Sequence, residues 1–249
     1  MRARVVTATA FVVLTVVCSA RPVFGQAPAA PPKIWTVTAG AGLALTSGNS
    51  NTSTVNLAYD LTYDPQTRNV VKSDGLYIRG ETEHELSTHR TGINIRDEYK
   101  LTDRIFVFGQ NQYLKDAFKN IDYLLAPTGG VGYKIIDTAT TKFVVDGSAG
   151  MVWEKNPGFD VNASGALATG EKLTHQLTGN TTLNQTFMGL WKTDDFEDAL
   201  FTLGVSIAAS MSTRTQLKVE ALDTFKNKPP LPTIQANDVA VLVSIVYKM

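Results

Sequence analysis

Apolar and polar residues alternate with a period of two along most of the sequence after Lys33, and no segment sustains the 3.6-residue period of a helix. In the first such segment Trp35 and Val37 share one face, while Thr36 and Thr38 share the other. This alternation is typical of strands that have one apolar and one polar face. The sequence therefore predicts an all-β fold.

Continued along the chain, the alternation predicts about twelve strands, at residues 34–46, 53–63, 71–82, 89–101, 104–114, 123–136, 142–154, 161–170, 173–184, 197–209, 213–225 and 238–249. An even number suits an antiparallel barrel whose first and last strands begin and end on the same side of a membrane. Closure of the sheet also leaves no edge unpaired in lipid. The predicted fold class is an antiparallel transmembrane β-barrel.

The connections between these strands test the barrel prediction, because outer-membrane barrels have tight periplasmic turns and longer external loops. Tight turns are predicted at 102–104, 137–141 and 210–213, and longer linkers at the opposite end, at 185–196 and 224–237. The first external connection, 47–52, is short and is an exception. The alternation of short and long connections favours a barrel.

Aromatic residues fall near the predicted strand ends, where Trp and Tyr collect at membrane interfaces. One end has Trp35, Tyr63, Tyr99, Tyr133, Phe143 and Tyr247, and the other has Tyr113, Tyr123, Trp153 and Phe225. The alternative is that they form the core of a soluble periplasmic β-sandwich, since alternation alone does not distinguish lipid-facing from core-facing residues.

The first residues predict export. Arg2 and Arg4 precede an apolar run from Val5 to Val17, which is shorter than the roughly twenty residues of a membrane-spanning helix. We interpret residues 1–25 as a signal peptide cleaved after Ala20 or Gly25, residues 26–33 as a Pro/Ala-rich leader, and residues 34–249 as the barrel.

Cysteine and charge narrow the class further. The one cysteine, Cys18, follows Val17 instead of the small residue that a lipoprotein signal needs, and it lies within the predicted signal peptide. The mature chain must therefore fold without disulfides. Lys plus Arg and Asp plus Glu both number 23, and this balance argues against a nucleic-acid partner.

Several short motifs resemble a known family. They are Gly48-Asn49-Ser50, the Leu101-Thr102-Asp103-Arg104 turn, the segment from Lys115-Asp116-Ala117-Phe118 to Ile121-Asp122, and the stretch from Gly129 to Tyr133. In order and spacing they resemble the salt-induced outer membrane protein family, domain of unknown function 481. The resemblance implies a Gram-negative outer-membrane barrel and an association with salt or envelope stress, and it brings no catalytic residues.

The last strand resembles the C-terminal strand by which the barrel-assembly machinery recognises outer-membrane proteins. Its apolar residues alternate to the last position, and the candidate signal residues are Val243, Ile245, Tyr247 and Met249. An aromatic residue is usual at the last position, which is Met249 here. The expected partners are this machinery and outer-membrane lipid.

Functional residues of a barrel are expected on its inner face, where side chains tune selectivity. The predicted lumen-facing candidates are Asp60, Arg90, Asn94, Arg96, Glu98, Lys100, Asp146, Gln176, Asn180, Arg214, Lys218 and Glu220. Their signs are mixed, which favours charges that pair across strands over a strongly ion-selective pore.

Other candidate sites have simpler interpretations. Gly48 to Asn51 suits a tight hairpin turn, because Gly and Asn tolerate positive φ. Lys115, Asp116, Asn120 and Asp122 lack the spacing of a calcium loop, and His84, His89 and His175 are too scattered to predict a metal site. We predict no catalytic, cofactor or metal residues.

Three functions remain open. The leading hypothesis is a narrow passive channel or an envelope structural and salt-stress protein, with no solute identified. The second is the soluble periplasmic binding module. The third is an outer-membrane enzyme, in which His175 would need a serine and an orienting side chain that the sequence does not assign.

Overall fold

The computed structural model describes residues 33–46, 52–82, 85–117 and 119–249. The predicted signal peptide, most of the leader, the Gly48 to Asn51 turn, His84 and Phe118 lie outside the described residues. The described chain contains twelve strands: β1 (Trp35–Thr46), β2 (Thr52–Tyr63), β3 (Asn69–Thr82), β4 (Glu85–Lys100), β5 (Ile105–Asp116), β6 (Ile121–Asp137), β7 (Thr141–Lys155), β8 (Asn162–Gln176), β9 (Thr181–Lys192), β10 (Ala199–Ser210), β11 (Thr215–Lys226) and β12 (Asn237–Lys248).

Each strand pairs antiparallel with its neighbours in sequence, and β1 pairs with β12, so the sheet closes into a barrel. The register of β1 on β2 runs from Trp35 opposite Tyr63 to Thr46 opposite Thr52. The predicted all-β, twelve-stranded antiparallel barrel is therefore confirmed. No helix among the described residues is long and apolar enough to span a membrane.

The two ends of the barrel differ in their connections. At the end where β1 begins, which we call the turn end, neighbouring strands are joined by residues 64–68, 101–104, 138–140, 177–180 and 211–214. At the opposite end, the loop end, the described connections include 156–161, 193–198 and 227–236. The tight turns predicted near residues 102, 137 and 210 lie where expected.

The predicted end of the eighth strand, the predicted ninth strand and the long loop after it are wrong. β8 continues through the predicted break to Gln176, and the chain turns at residues 177–180, where the Leu177 and Thr178 amides donate to the Thr181 carbonyl. β9 then occupies most of the segment predicted as the loop 185–196. Every second residue from Thr174 to Asn184 is polar, and this period continues through the turn, which concealed it in the sequence.

Alternate residues of a strand lie on opposite faces of the barrel wall. In β12 the outer face carries exposed Val239, Val241 and Val243, while the alternate residues Leu242 and Ser244 are buried on the inner face. The same division holds in β11, where Leu217 and Val219 are exposed outside. An apolar surface therefore covers the outside of the barrel.

Candidate functional site: the barrel lumen

Contacts between strands that are not neighbours identify the inner face, because such side chains must meet across the lumen. Arg96 of β4 donates from Nη2 to Oδ2 of Asp146 in β7 at 2.9 Å. Lys226 of β11 places Nζ 2.8 Å from Oε1 of Glu154 in β7. Both pairs skip at least two intervening strands.

Arg96 organises the middle of the lumen. Its Nε donates to Oε1 of Glu98 at 2.9 Å, and its Nη1 donates to Oε1 of Gln110 at 3.1 Å. The guanidinium carbon also lies 3.5 Å from the centroid of the Phe108 ring. Lys72 adds a second cation to Glu98 at 2.7 Å. The planar guanidinium of Arg96 donates from its nitrogens while its face packs on the Phe108 ring, which a lysine ammonium cannot do.

Apolar side chains fill the lumen near the loop end. Most of them form one buried cluster from the six strands β5 to β10, which consists of Leu114, Ile121, Leu124, Ala126, Val152, Ala166, Leu190 and Leu200. A second buried cluster joins Ile78, Leu222 and Leu242. Because these residues lie on the inner face, their packing takes the place of water in this half of the barrel.

A buried group of charges completes this packing. Glu154, which is 1% exposed, lies between Lys226 Nζ at 2.8 Å and Lys192 Nζ at 3.0 Å. Asp198 pairs with the same two lysines, at 3.2 Å from Lys226 and 2.6 Å from Lys192. Two cations thus meet two carboxylates, so the group is neutral as a whole and each charge has a partner.

Two further cations connect opposite sides of the loop end. Lys119, which is fully buried, lies 2.8 Å from Oδ2 of Asp238 and donates to the carbonyls of Gln235 and Ala236. Arg90 of β4 donates to the Thr224 hydroxyl of β11. We call the two apolar clusters, the group around Glu154 and these connections the loop-end plug.

The loops above the plug are also connected to one another. Asn227 donates from its side chain to the Glu197 carbonyl at 2.9 Å, and Lys228 hydrogen-bonds Asp195. The Lys228 ammonium lowers the pKa of the Asp195 carboxyl, and the same contact raises the pKa of Lys228. The contact is solvent-exposed, so it holds the two loops together only weakly.

The other half of the lumen is accessible to solvent. Asp60, Asp74, Lys172 and Gln176 are exposed although they lie on the inner face, and the Lys72 side chain is 43% exposed. Asp60 accepts from the Thr38 hydroxyl and Asp74 accepts from the Asn94 amide, both at 3.2 Å. We call this solvent-accessible half, open at the turn end, the vestibule.

Ten of the twelve predicted lumen candidates lie on the inner face of the strands: Asp60, Arg90, Asn94, Arg96, Glu98, Lys100, Asp146, Gln176, Lys218 and Glu220. The other two are placed elsewhere: Asn180 and Arg214 lie in turns at the turn end, where both are exposed. Asn180 was assigned to a strand because the turn at 177–180 was missed, and Arg214 because the start of β11 was set too early.

Among the charged residues of the plug, the alternation predicts Arg90 on the inner face but not five others. These are Lys119, Glu154, Lys192, Asp198 and Lys226, which all lie at or beside strand ends. Charged residues at strand ends ordinarily indicate the entry to a solvated loop. One feature of the sequence indicates the inner face for Glu154: it lies two residues after Val152, an apolar residue of that face.

The candidate metal ligands and histidines make structural contacts. Asp116 lies 3.6 Å from Arg90 and accepts from the Lys119 amide at 3.2 Å. His175 is on the outer face, where its Nδ1 shares a hydrogen bond with the Thr141 hydroxyl at 2.8 Å, and His89 packs edge-on against Tyr77. Within the described residues no three His, Cys, Asp or Glu side chains converge on a metal position.

The candidate assembly residues lie at the turn end of β12. Val243, Ile245 and Tyr247 point outward and are exposed, and Met249 follows the strand. Recognition by the assembly machinery stays a prediction.

Comparison with known proteins identifies the family. Residues 39–249 match the family described as "Protein of unknown function, DUF481", so the chain belongs to this family. A search of curated proteins finds no match.

Solved structures share the architecture. The translocator domain of the autotransporter NalP from Neisseria meningitidis is similar with a TM-score of 0.50 and 10% identity, over 88% of this chain and 90% of that one. The COG4313 outer membrane channel from Pseudomonas putida F1 has a TM-score of 0.49 and 12% identity, over 88% and 96%. The NanC porin has a TM-score of 0.46 and 9% identity, over 86% and 97%. At these identities the likeness concerns the fold alone.

Proposed function

We propose that this protein is an outer-membrane barrel that acts as a narrow passive channel for small solutes, closed at rest by the loop-end plug. The observation that carries the proposal is the contrast within one lumen. Charged side chains in the vestibule are exposed to water, whereas Glu154, Lys192 and Lys226 in the plug are buried and paired.

The outer surface supports the membrane location. Large apolar side chains such as Val241 and Ile245 are exposed on the outside of the strands. Contact of such a continuous apolar surface with water would be energetically unfavourable. Aromatic pairs lie at both ends, with Trp35 against Tyr63 at the turn end and Trp191 against Phe201 toward the loop end. Interfacial aromatic residues of this kind anchor barrels at the headgroup level.

The vestibule supports weak charge selectivity. Its exposed charges include both signs: Asp60 and Asp74 are negative, and Lys72 and Lys172 are positive. A ring of one sign would exclude ions of that sign, whereas mixed charges do so poorly. The proposed solutes are therefore small polar molecules or ions of either sign.

The plug favours a second candidate function, a sealed structural barrel. A lumen filled by packed side chains is typical of narrow barrels that conduct nothing. Conductance separates the two candidates, because a channel must open while a sealed barrel stays silent.

The test is single-channel recording in planar bilayers with the Lys226→Ala/Glu154→Ala double variant. Removing both partners leaves no lone buried charge on this pair, and Lys192 and Asp198 still pair with each other. We expect the wild-type protein to open rarely and the double variant to conduct in most recordings.

The matched control is Arg79→Ala/Glu81→Ala, which removes a charged pair that is exposed to solvent. This variant should conduct like the wild type. Silence of both the wild type and the plug variant, with each correctly inserted, would contradict the channel and favour the sealed barrel. Recovery of the native protein in the soluble periplasmic fraction would contradict the membrane location itself.

A further inference from the structure

A cleft of about 580 Å³ opens at the turn end, outside the lumen site described above. It is lined by Lys33, Thr213, Arg214, Tyr247, Lys248 and Met249. These residues come from three parts of the chain: the segment before β1, the turn between β10 and β11, and the end of β12. The closure of the barrel is therefore what brings them together.

Three of the residues that line the cleft are cations, and none of the described lining residues is Asp or Glu. Lys33 donates from Nζ to a main-chain oxygen of Met249 at 3.3 Å, and Arg214 donates from Nη1 to the Tyr247 hydroxyl at 3.4 Å. Both are long hydrogen bonds that leave most donors of the two cations free. Even with a carboxylate on Met249 counted, positive charge is in excess.

Three lysines at the same end of the barrel have carboxylate partners, whereas Arg104, like Arg214, contacts a tyrosine, which is Tyr133. Asp137 accepts from both Lys134 and Lys142, at 3.2 and 3.1 Å, and Asp64 pairs with Lys100 at 3.2 Å. The cleft thus differs from these lysine pairs in bringing three cations together with no Asp or Glu among its described lining residues. An anion from outside the chain would supply a counter-charge.

The position of the cleft indicates which anion is available. Tyr247 lies on the outer face of β12, opposite Thr215, and the Trp35 and Tyr63 rings pack together at the same end of the barrel. If the barrel lies in the outer membrane, as proposed above, the turn end lies at the depth of the phosphates of the periplasmic leaflet.

We propose that the cleft binds the phosphate group of an anionic phospholipid in the periplasmic leaflet. Arg214 offers a forked pair of donors to phosphate oxygens, Lys33 adds a point charge, and the Tyr247 hydroxyl supplies a further donor, whereas Lys248 lies opposite the inner-face residue Thr38. The lipid chains would lie along the apolar outer face of β12, beside Val243 and Ile245.

The experiment compares the full-length mature barrel in vesicles of phosphatidylcholine alone and of phosphatidylcholine mixed with phosphatidylglycerol. Heat-modifiable mobility on SDS gels reports insertion and the temperature at which the barrel unfolds. We expect phosphatidylglycerol to raise this temperature for the wild type and not for Lys33→Gln/Arg214→Gln. In native mass spectra, the preference of the barrel for phosphatidylglycerol among its retained lipids should fall about fivefold with each cation removed.

The matched control, Lys134→Gln/Lys142→Gln, removes two cations from the same end of the barrel and should keep the wild-type response. Equal stabilisation by inorganic phosphate in phosphatidylcholine vesicles would overturn the assignment to lipid. Insertion of the wild type without any phosphatidylglycerol effect would overturn this inference alone. Failure to insert into any vesicle would overturn the proposed membrane location, and this inference with it.

Discussion

At the scale of single residues, the lumen depends on side chains that reach beyond the neighbouring strand. Arg96 joins Glu98 on its own strand to Asp146 three strands away while its face covers Phe108. Arg79, by contrast, pairs with Glu81 on the same strand near the loop end of β3, where the two side chains are 53% and 37% exposed. Two Arg–carboxylate contacts of similar length therefore differ in what they hold together.

Substituting these two arginines by lysine tests that difference. Arg96→Lys keeps the charge but cannot reach Glu98 and Asp146 together, so one of these carboxylates loses its hydrogen bond from residue 96, and we expect a loss of about 1–3 kcal/mol. Arg79→Lys should change stability by less than about 0.5 kcal/mol, since exposed pairs contribute little. Urea unfolding in vesicles measures both, and equal effects would show that the contact across the lumen contributes nothing.

At the scale of strands, alternation predicted most of the barrel because lipid and lumen impose opposite demands on successive residues. It failed at β8 and β9, where Thr174, Gln176 and Thr178 continue the polar set straight into the turn. It also could not predict the plug. The salt bridge between Lys226 and Glu154 depends on the curvature of the closed barrel, which cannot be predicted from a local sequence pattern.

Adjacent residues in the middle of β4 test the two faces. Ile93 is exposed on the outer face between Gly75 and Tyr113, whereas Asn94 lies on the inner face and donates to Asp74. Ile93→Arg should destabilise the barrel by about 2–4 kcal/mol, the cost of arginine at the bilayer midplane. Asn94→Arg should cost much less, because it meets the Asp74 carboxylate and water. The same urea measurement decides, and a larger cost at Asn94 would reverse the assignment of faces.

At the scale of the whole molecule, closure of the barrel rests on its shortest seam. In the described chain β1 and β12 pair through four residues, from Thr38 opposite Lys248 to Ala41 opposite Ile245, against twelve between β1 and β2. Beyond these pairs, Ser244 of β12 donates to the Asn56 amide oxygen of β2 at 2.8 Å. This hydrogen bond passes over β1 at Gly42, where there is no side chain to block it.

Gly42 and Gly40, both on the inner face of β1, therefore test what closes the barrel. A methyl group at Gly42 would overlap the main-chain oxygen of Val243 and the Asn56 amide, so β12 would have to move away and the hydrogen bond from Ser244 would break. At Gly40 the nearest atom is a methyl carbon of Val246 at 3.2 Å, which a small side-chain shift relieves. We expect Gly42→Ala to cost about 1–3 kcal/mol, as overpacking does, and to reduce the fraction that runs as the compact, unheated form on SDS gels. Gly40→Ala should run like the wild type. If Gly42→Ala also closes and unfolds like the wild type, the seam tolerates a wider separation of β1 from β12, and closure must rest on the plug and the remaining eleven strand pairs instead.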